Sequence, residues 1–326
     1  MVVISENIRG TSTPNPDLHL IFGAGLIGSS VCNHLLAQGR LQRTELPFSW
    51  SQPARQSEEL KDIETLLASR CALRDSSSLP CPRGRINIVW SAGKSGFASE
   101  EAETRDELAT FRRVVEFAEE LSRRDDDWDI RFFHISSAGG LFEGLDADAV
   151  ELMPAPIRPY GFLKLQQEQL VERLPKAIQK KIFRLTSVYG YIAPNSRAGL
   201  VQTLLINGVQ RRPSVIVGDL STLRDYVFCE DVGRFVFDQL LDPADEASGC
   251  YLLSSGKASS IGEVQRYVES VIGRKIYLSF VRRPTNSRDI SVSWREMPAG
   301  WSPVDLRTGI RTVHDNWRGA GYAWQG

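Results

Sequence analysis

Short apolar-rich runs recur along the first half of the chain, at Leu18–Phe22, 86–90, 130–135 and 181–185. Nearly continuous apolar runs of this length mark strands buried on both faces of a parallel sheet. Between them the apolar residues return every three or four positions. Leu60, Ile63, Leu66 and Leu67 do so within 56–69, and the stretches 29–39, 99–123 and 160–174 also read as helices. A second strand is predicted at 44–50, where Pro47 places it near an edge. Residues 70–85, with prolines, serines and two cysteines, read as an irregular connection. Beyond about residue 190 short strands (214–217, 251–254) mix with helices and with loops rich in glycine and proline. Strand–helix alternation of this kind predicts an α/β protein with a doubly wound parallel sheet. The expected division is a flexible polar tail at 1–17, the sheet domain at 18–190, and a smaller, discontinuous C-terminal lobe at 191–326.

Composition narrows the partners. Lys and Arg number 39 and Asp and Glu 40, for a net charge of −1. That balance gives no reason to expect nucleic acid or an anionic membrane. The five cysteines are scattered, with no C-x-x-C pair and no histidine cluster, so neither a metal site nor a disulfide framework is indicated. Reduced cysteines and a cytoplasmic location are expected. No apolar stretch approaches the ~18–20 residues that span a bilayer.

The first chemical signal follows the first strand: Gly23-Ala24-Gly25-Leu26-Ile27-Gly28. In G-x-G-x-x-G the first glycine allows a tight turn and the second lets backbone approach a pyrophosphate. The third permits close helix–strand packing, and the helix N-terminus faces the phosphates. Strand, turn and helix occur here in that order, so a Rossmann-type fold and a dinucleotide are predicted. Ser91-Ala92-Gly93, after the run at 86–90, is a further cofactor-binding candidate. An acidic residue normally ends the second strand and binds the adenosine ribose. Here the chain reads Leu46-Pro47-Phe48-Ser49-Trp50-Ser51. Ser49 or Ser51 is left to meet a ribose hydroxyl, Arg55 to meet a 2′-phosphate, and Trp50 to pack on adenine. NAD and NADP both remain open, with bound NAD favoured.

The second signal is Tyr160 and Lys164, four residues apart and therefore on one helical face. A free phenol, with a pKa of ~10, is a poor base at neutral pH. A neighbouring ammonium favours the phenolate and makes the group useful as an acid and base. Ser136 and Ser137, at the end of the strand 130–135, offer a hydroxyl to hold the substrate oxygen. His134 reads as a packed residue.

With these motifs in this order the chain resembles the extended short-chain dehydrogenases/reductases of the NAD-dependent epimerase/dehydratase family. Phe183-Arg184-Leu185-Thr186-Ser187-Val188-Tyr189-Gly190 is similar to the family segment after the sixth strand. Gly218-Asp219-Leu220-Ser221-Thr222-Leu223-Arg224-Asp225-Tyr226-Val227, followed by Asp231-Val232, is similar to its G-D-G-S-x-x-R-D-Y-V…D-V segment. The resemblance implies a nucleotide-diphosphate sugar as substrate, with Ser187, Arg224 and Arg283 (or Arg282) binding it. A guanidinium fork suits a diphosphate. Asp225 and Asp231 are expected to hold the local fold. A homodimer through the helices 100–123 and 160–174, and a place in polysaccharide synthesis, are implied in the same way. Three departures stand out: Phe22 occupies the place of the family's first dinucleotide glycine, Ser187 that of an asparagine, and residues 70–85 supply no aspartate for the adenine.

The stretch after Ser137 is Ala138-Gly139-Gly140. Dehydratases of the family carry an Asp-Glu pair there, so dehydration is disfavoured. The reading is therefore epimerisation, at C4, by transient hydride transfer to a bound nicotinamide cofactor. The alternatives are an NAD(P)H-dependent reductase of a 4-keto nucleotide sugar and a redox-silent nucleotide-binding protein of the same fold.

Overall fold

The computed structural model describes residues 2–7, 17–37, 41–75, 84–124, 128–144, 153–190, 198–242, 247–281, 289 and 298–319. The chain opens with β1 (Val2–Asn7), β2 (Leu18–Phe22), α1 (Leu26–Ala37), β3 (Leu41–Leu46) and α2 (Pro53–Asp75). There follow β4 (Gly84–Trp90), α3 (Glu101–Arg124), β5 (Trp128–Ser137), the single turn α4 (Ala138–Leu141), α5 (Pro159–Glu172) and β6 (Gln179–Leu185). The remainder comprises β7 (Ser187–Tyr189), α6 (Leu200–Gln210), β8 (Ser214–Val217), β9 (Leu223–Phe228) and α7 (Cys229–Leu241). It closes with β10 (Gly249–Leu253), β11 (Ala258–Ser260), α8 (Ile261–Ile272), β12 (Leu278–Val281) and α9 (Leu306–Gly319).

These elements fall into two compact units. One comprises residues 1–136, 158–183 and 236–251, and the other 137–157, 184–235 and 252–326. The chain thus passes between them several times instead of dividing once near residue 190.

The first unit is built on a seven-stranded sheet in the order β10-β6-β5-β4-β2-β1-β3. At its centre β2, β4 and β5 run parallel and almost fully buried, as the apolar runs predict. The Rossmann-type α/β class therefore holds, with three corrections of detail. Residues 2–7 do not belong to a flexible tail but form β1, which lies antiparallel between β2 and β3. Val2, Val3 and Ile4 are β-branched and suit a strand, and flanking strands satisfy both edges of this segment. The second strand is also displaced toward the N-terminus from the expected 44–50. It ends at Leu46, before Pro47, which cannot donate to a ladder. The first part of the expected irregular connection, up to Asp75, is instead helical, because α2 continues to that residue, and the rest of that connection, 76–83, lies outside the described residues.

Helix α3 shows why its segment folds as it does. Thr104, Phe111, Val114, Val115 and Ala118 are buried at three- and four-residue spacing. Glu101 and Glu103 lie in its first turn and Arg123 and Arg124 in its last, each complementing the helix dipole. Its buried face joins a run of rings through Phe22, Phe48, Trp50, Trp90, Phe111 and Phe132. Phe22, in the place of the missing glycine, is fully buried, 6.2 Å from Trp90 between ring centroids. Its side chain belongs to the core.

Two histidines sit in this core. His19 and Asn87 are register partners on β2 and β4, with the Asn87 Nδ2 3.2 Å from His19 Nδ1. Burial, with Arg85 nearby, lowers the His19 pKa from 6.5 to about 3. Burial, with Lys164 nearby, also holds His134 well below its ordinary value. Both are neutral when folded, whereas in the unfolded chain each binds a proton below about pH 6.5. The unfolded state then holds the extra protons, so this contribution to stability is complete above pH ~6.5. For His19 it falls by up to ~1.4 kcal/mol per pH unit until about pH 3. Urea midpoints are expected to drop as pH falls from about 7 to about 5, and His19→Gln is expected to flatten the slope. A slope unchanged in that variant would contradict a buried neutral His19.

The second unit contains the three-stranded sheet β11-β9-β7 and the two-stranded parallel sheet β12-β8. Helix α8 opens with a reciprocal cap. Ser260 Oγ accepts from the Glu263 amide, and Glu263 accepts from the Ser260 amide. No helix among the described residues is long and apolar enough to cross a membrane.

Candidate active site

The glycine turn joins β2 to α1, and its three glycines do different work. Gly23 has φ +96°, and a Cβ there would lie 2.5 Å from the Ala92 Cα. A Cβ on Gly28 would come within 2.0 Å of the Gly23 carbonyl oxygen. Those two glycines are required by packing. At Gly25 an added Cβ would meet nothing within 4 Å, so its bare backbone faces open space. Ser91 staples the turn: its amide donates to the Phe22 carbonyl (2.9 Å), and its hydroxyl to those of Phe22 (3.1 Å) and Gly23 (2.7 Å).

Over this turn lies a pocket of about 490 Å³. Gly23–Gly25 and residues 91–95 form one part of its wall, and Trp50 and Ser51 another. Helix α3 contributes Glu103, Asp106, Glu107 and Thr110. Leu26 and Ile27 are the first residues of α1, beneath the turn. Ser49 is committed elsewhere, since its amide and hydroxyl both donate to the Glu59 carboxylate at 2.7 Å. Arg55 is exposed on α2.

Tyr160 and Lys164 lie on α5, which packs against α3. Pro159 occupies the first turn of that helix, where its missing N–H costs nothing. Lys164 is buried and directed inward: its ammonium donates to Gln167 Oε1 (3.0 Å) and lies 3.8 Å from the Glu107 carboxylate. Glu107 also accepts from the amides of Lys94 and Ser95, each at 3.0 Å. One carboxylate therefore ties the loop that lines the pocket to the lysine. The Tyr160 ring is tilted beside Phe97 (5.6 Å), and the Lys164 Nζ is 5.8 Å from its centre. Among the described residues the Tyr160 hydroxyl makes no hydrogen bond.

The two serines at the end of β5 diverge, because successive strand residues point to opposite faces. Ser136 faces α5 and donates to the buried Glu168 at 2.5 Å. Ser137, in the second unit, caps α4 by accepting from the Gly140 amide at 3.1 Å. Also in that unit, Ser187 begins β7 and Arg224 lies on β9, its guanidinium donating to the Leu223 carbonyl. Asp225 is buried and accepts from the Thr186 hydroxyl and from Ser255 and Lys257. Burial raises its pKa, and these bonds oppose the rise. Its role is to join β9 to the segment after β10. Arg283 and Arg282 lie outside the described residues.

Sequence reasoning missed Glu107, Gln167, Glu103, Asp106 and the staple made by Ser91. The acids at spacing three and four on α3 were a signal for one charged face, but nothing local aims that face at the glycine turn.

Fold and site together define an α/β dinucleotide enzyme in which one helix carries both the tyrosine and the lysine. The chain belongs to the NAD dependent epimerase/dehydratase family, whose profile matches residues 19–249. With that family it is an NAD(P)-dependent enzyme of the extended short-chain dehydrogenase/reductase type. No curated protein matches it. Among solved structures it is similar to the UDP-glucose 4-epimerase of Thermus thermophilus complexed with NAD. That likeness has TM-score 0.69 and 19% identity, and covers 92% of this chain and 98% of the other. The Bacillus cereus UDP-glucuronic acid 4-epimerase, with UDP-glucuronic acid and NAD, gives TM-score 0.64, 19% identity and the same coverages. RMD from Pseudomonas aeruginosa, complexed with NADPH, gives 0.66 and 18% identity over 92% of this chain and 97% of that one.

Proposed function

We propose that the protein is a nucleotide-sugar epimerase acting at C4, with NAD held over the glycine turn. The observation that carries the reading is the tie between Lys164 and Glu107, a pocket residue, with Tyr160 one helical turn away. The pocket residues fit a dinucleotide. Gly25 leaves backbone open to a pyrophosphate, and the N-terminus of α1 supplies partial positive charge. Trp50 offers a ring to adenine, and Ser51 with Asp106 or Glu103 offers acceptors to ribose hydroxyls. Three carboxylates and one lysine make up the charged lining, which favours a ribose diol over a 2′-phosphate and hence NAD over NADP.

When bound, the nicotinamide supplies a reversible two-electron acceptor for the carbinol carbon. Tyr160 handles the proton, removing it from the sugar 4-hydroxyl and returning it after the sugar has presented its other face. Lys164, an ammonium held by Gln167 and Glu107, favours the phenolate through its field. Ser137 is the hydroxyl left for the sugar oxygen, because Ser136 serves Glu168. Arg224, Ser187 and Arg283 are assigned to the nucleotide diphosphate. A homodimer is part of the proposal, through the outward faces of α3 and α5, where Phe162 is 51% exposed.

The 4-epimerase neighbours solved with NAD support this reading, and the neighbour solved with NADPH keeps a reductase as the second one. The test is to denature purified protein, identify the nicotinamide nucleotide released, and assay UDP- and GDP-sugars for their C4 epimers. Stoichiometric NAD with epimer formation is the expected result. Protein that arrives empty and consumes NADPH on a 4-keto sugar is a reductase. Protein that binds neither nucleotide has only a redox-silent role.

A further inference from the structure

The second unit holds a concavity that the proposed chemistry does not use. It measures about 270 Å³, several times the ~30 Å³ share of one water, and lies where the ends of α6 and α8 meet. Arg211, Arg212, Arg274 and Lys275 line it with Asn207 and Tyr277, and no carboxylate does. Lys275 pairs with Glu269 at 2.7 Å. Arg211, Arg212 and Arg274 have no carboxylate partner among the described residues.

The scaffold beneath these cations is tightly built. Gly208 lets α6 approach so closely that a Cβ there would lie 2.8 Å from both Ile272 and Ile276. The Ser214 amide donates to the Tyr277 carbonyl (2.8 Å), and Asn207 donates to the Ser214 hydroxyl (3.0 Å). Glu269, besides holding Lys275, accepts from the Ile276 amide at 3.2 Å.

Cations after helix C-termini complement the helix dipoles, and that accounts for their sign. It does not account for Arg211, which caps α6 at φ 58° and is the one non-glycine residue with positive φ among those described. Glycine takes this conformation freely, whereas an L side chain is strained in it by about 1–2 kcal/mol. The chain bears that strain at the position where it adds a cation beside Arg212 and Arg274, which have no carboxylate partner among the described residues. Strained backbone and a cluster of cations, three of them without a carboxylate partner among the described residues, together point to a ligand of opposite charge.

We propose that this concavity is a second anion site, which binds the phosphate group of a phosphate-bearing molecule. Guanidinium forks are suited to phosphate oxygens, and the Tyr277 ring, 67% exposed, stands at the rim for whatever the phosphate is attached to. Such a molecule is either a free phosphate compound or a lipid headgroup, and the shared chemistry is the same.

Arg211→Gly tests this with its own folding control, because glycine relieves the αL strain while removing a cation. Inorganic pyrophosphate is titrated calorimetrically into the full-length protein, into Arg211→Gly and into Arg211→Gly/Arg274→Gln. In parallel, phosphatidylcholine vesicles with and without phosphatidic acid are tested in sedimentation. The expected result is saturable pyrophosphate binding that weakens about tenfold in Arg211→Gly, with an unchanged or higher Tm. Sedimentation with phosphatidic acid vesicles alone, lost in the double variant, supports the same site with a lipid source. Binding to neither probe, or binding indifferent to both variants, overturns the proposal.

Discussion

Gly28→Ala is expected to destabilise the fold severely, while Gly25→Ala, three residues earlier, leaves it intact and weakens dinucleotide binding. At Gly28 the new methyl would sit 2.0 Å from the Gly23 carbonyl oxygen and 2.5 Å from the Ser91 hydroxyl. Ordinary contact is ~3.5–4.0 Å, so the turn and its staple must both give way. Overpacking costs typically ~1–3 kcal/mol, and a clash with backbone belongs at or above the top of that range. Total stability is only ~5–15 kcal/mol, so low solubility or a much lower Tm should follow. At Gly25 the methyl meets no protein atom within 4 Å. Its Tm should hold or rise slightly, since alanine restricts the unfolded chain. What it loses is the close approach of backbone to a pyrophosphate, and charge-assisted hydrogen bonds of ~1.5–3 kcal/mol go with it. NAD affinity is then expected to fall about 10- to 100-fold, read by fluorescence titration. A Gly25→Ala protein that binds NAD like the parent would show that the turn serves packing alone.

Tyr160→Phe should lower kcat by about 10²–10⁴, the usual worth of a positioned acid/base. KM and the bound nucleotide should change little, because the hydroxyl makes no hydrogen bond among the described residues that its loss could break. Lys164→Met is expected to differ in kind. It removes the ammonium from the phenol and takes the neighbouring cation from the half-buried Glu107 carboxylate, which keeps the Lys94 and Ser95 amides, so a loss of about 1–3 kcal/mol is expected. Its Tm should fall together with its rate. Epimer formation by Tyr160→Phe at the parent rate would remove Tyr160 from the chemistry.

The parts of this molecule written in local pattern were legible in advance. The apolar runs of β2, β4 and β5 announced buried parallel strands, and the period of α3 matched its buried face. The glycine turn declared itself because each of its constraints acts on its neighbours in sequence. What escaped were relations between distant segments. Six residues at the start, Val2–Asn7, carry too little pattern to show that β2 and β3 would close around them. Strand alternation says that Ser136 and Ser137 face opposite ways, but only the packing of α5 says which meets Glu168. Glu107 looked like one of many acids on α3 until its distances to Lys164 and to the amides of Lys94 and Ser95 singled it out. Phe22, read as a defect in a phosphate-binding motif, is a core ring whose carbonyl does the local work.

The antiparallel strand β1 has a kinetic consequence. Parallel neighbours require a crossover between them, and here the chain runs for about sixty residues between β2 and its parallel partner β4. About ten residues separate β1 from β2. Loop-closure entropy rises with the logarithm of length, at about 0.6 kcal/mol per doubling, so the short connection is favoured by ~1.5 kcal/mol. A sheet that would otherwise wait for distant segments to meet thus contains one pairing that chain diffusion finds early, with an open edge on each side ready to receive β3 and β4.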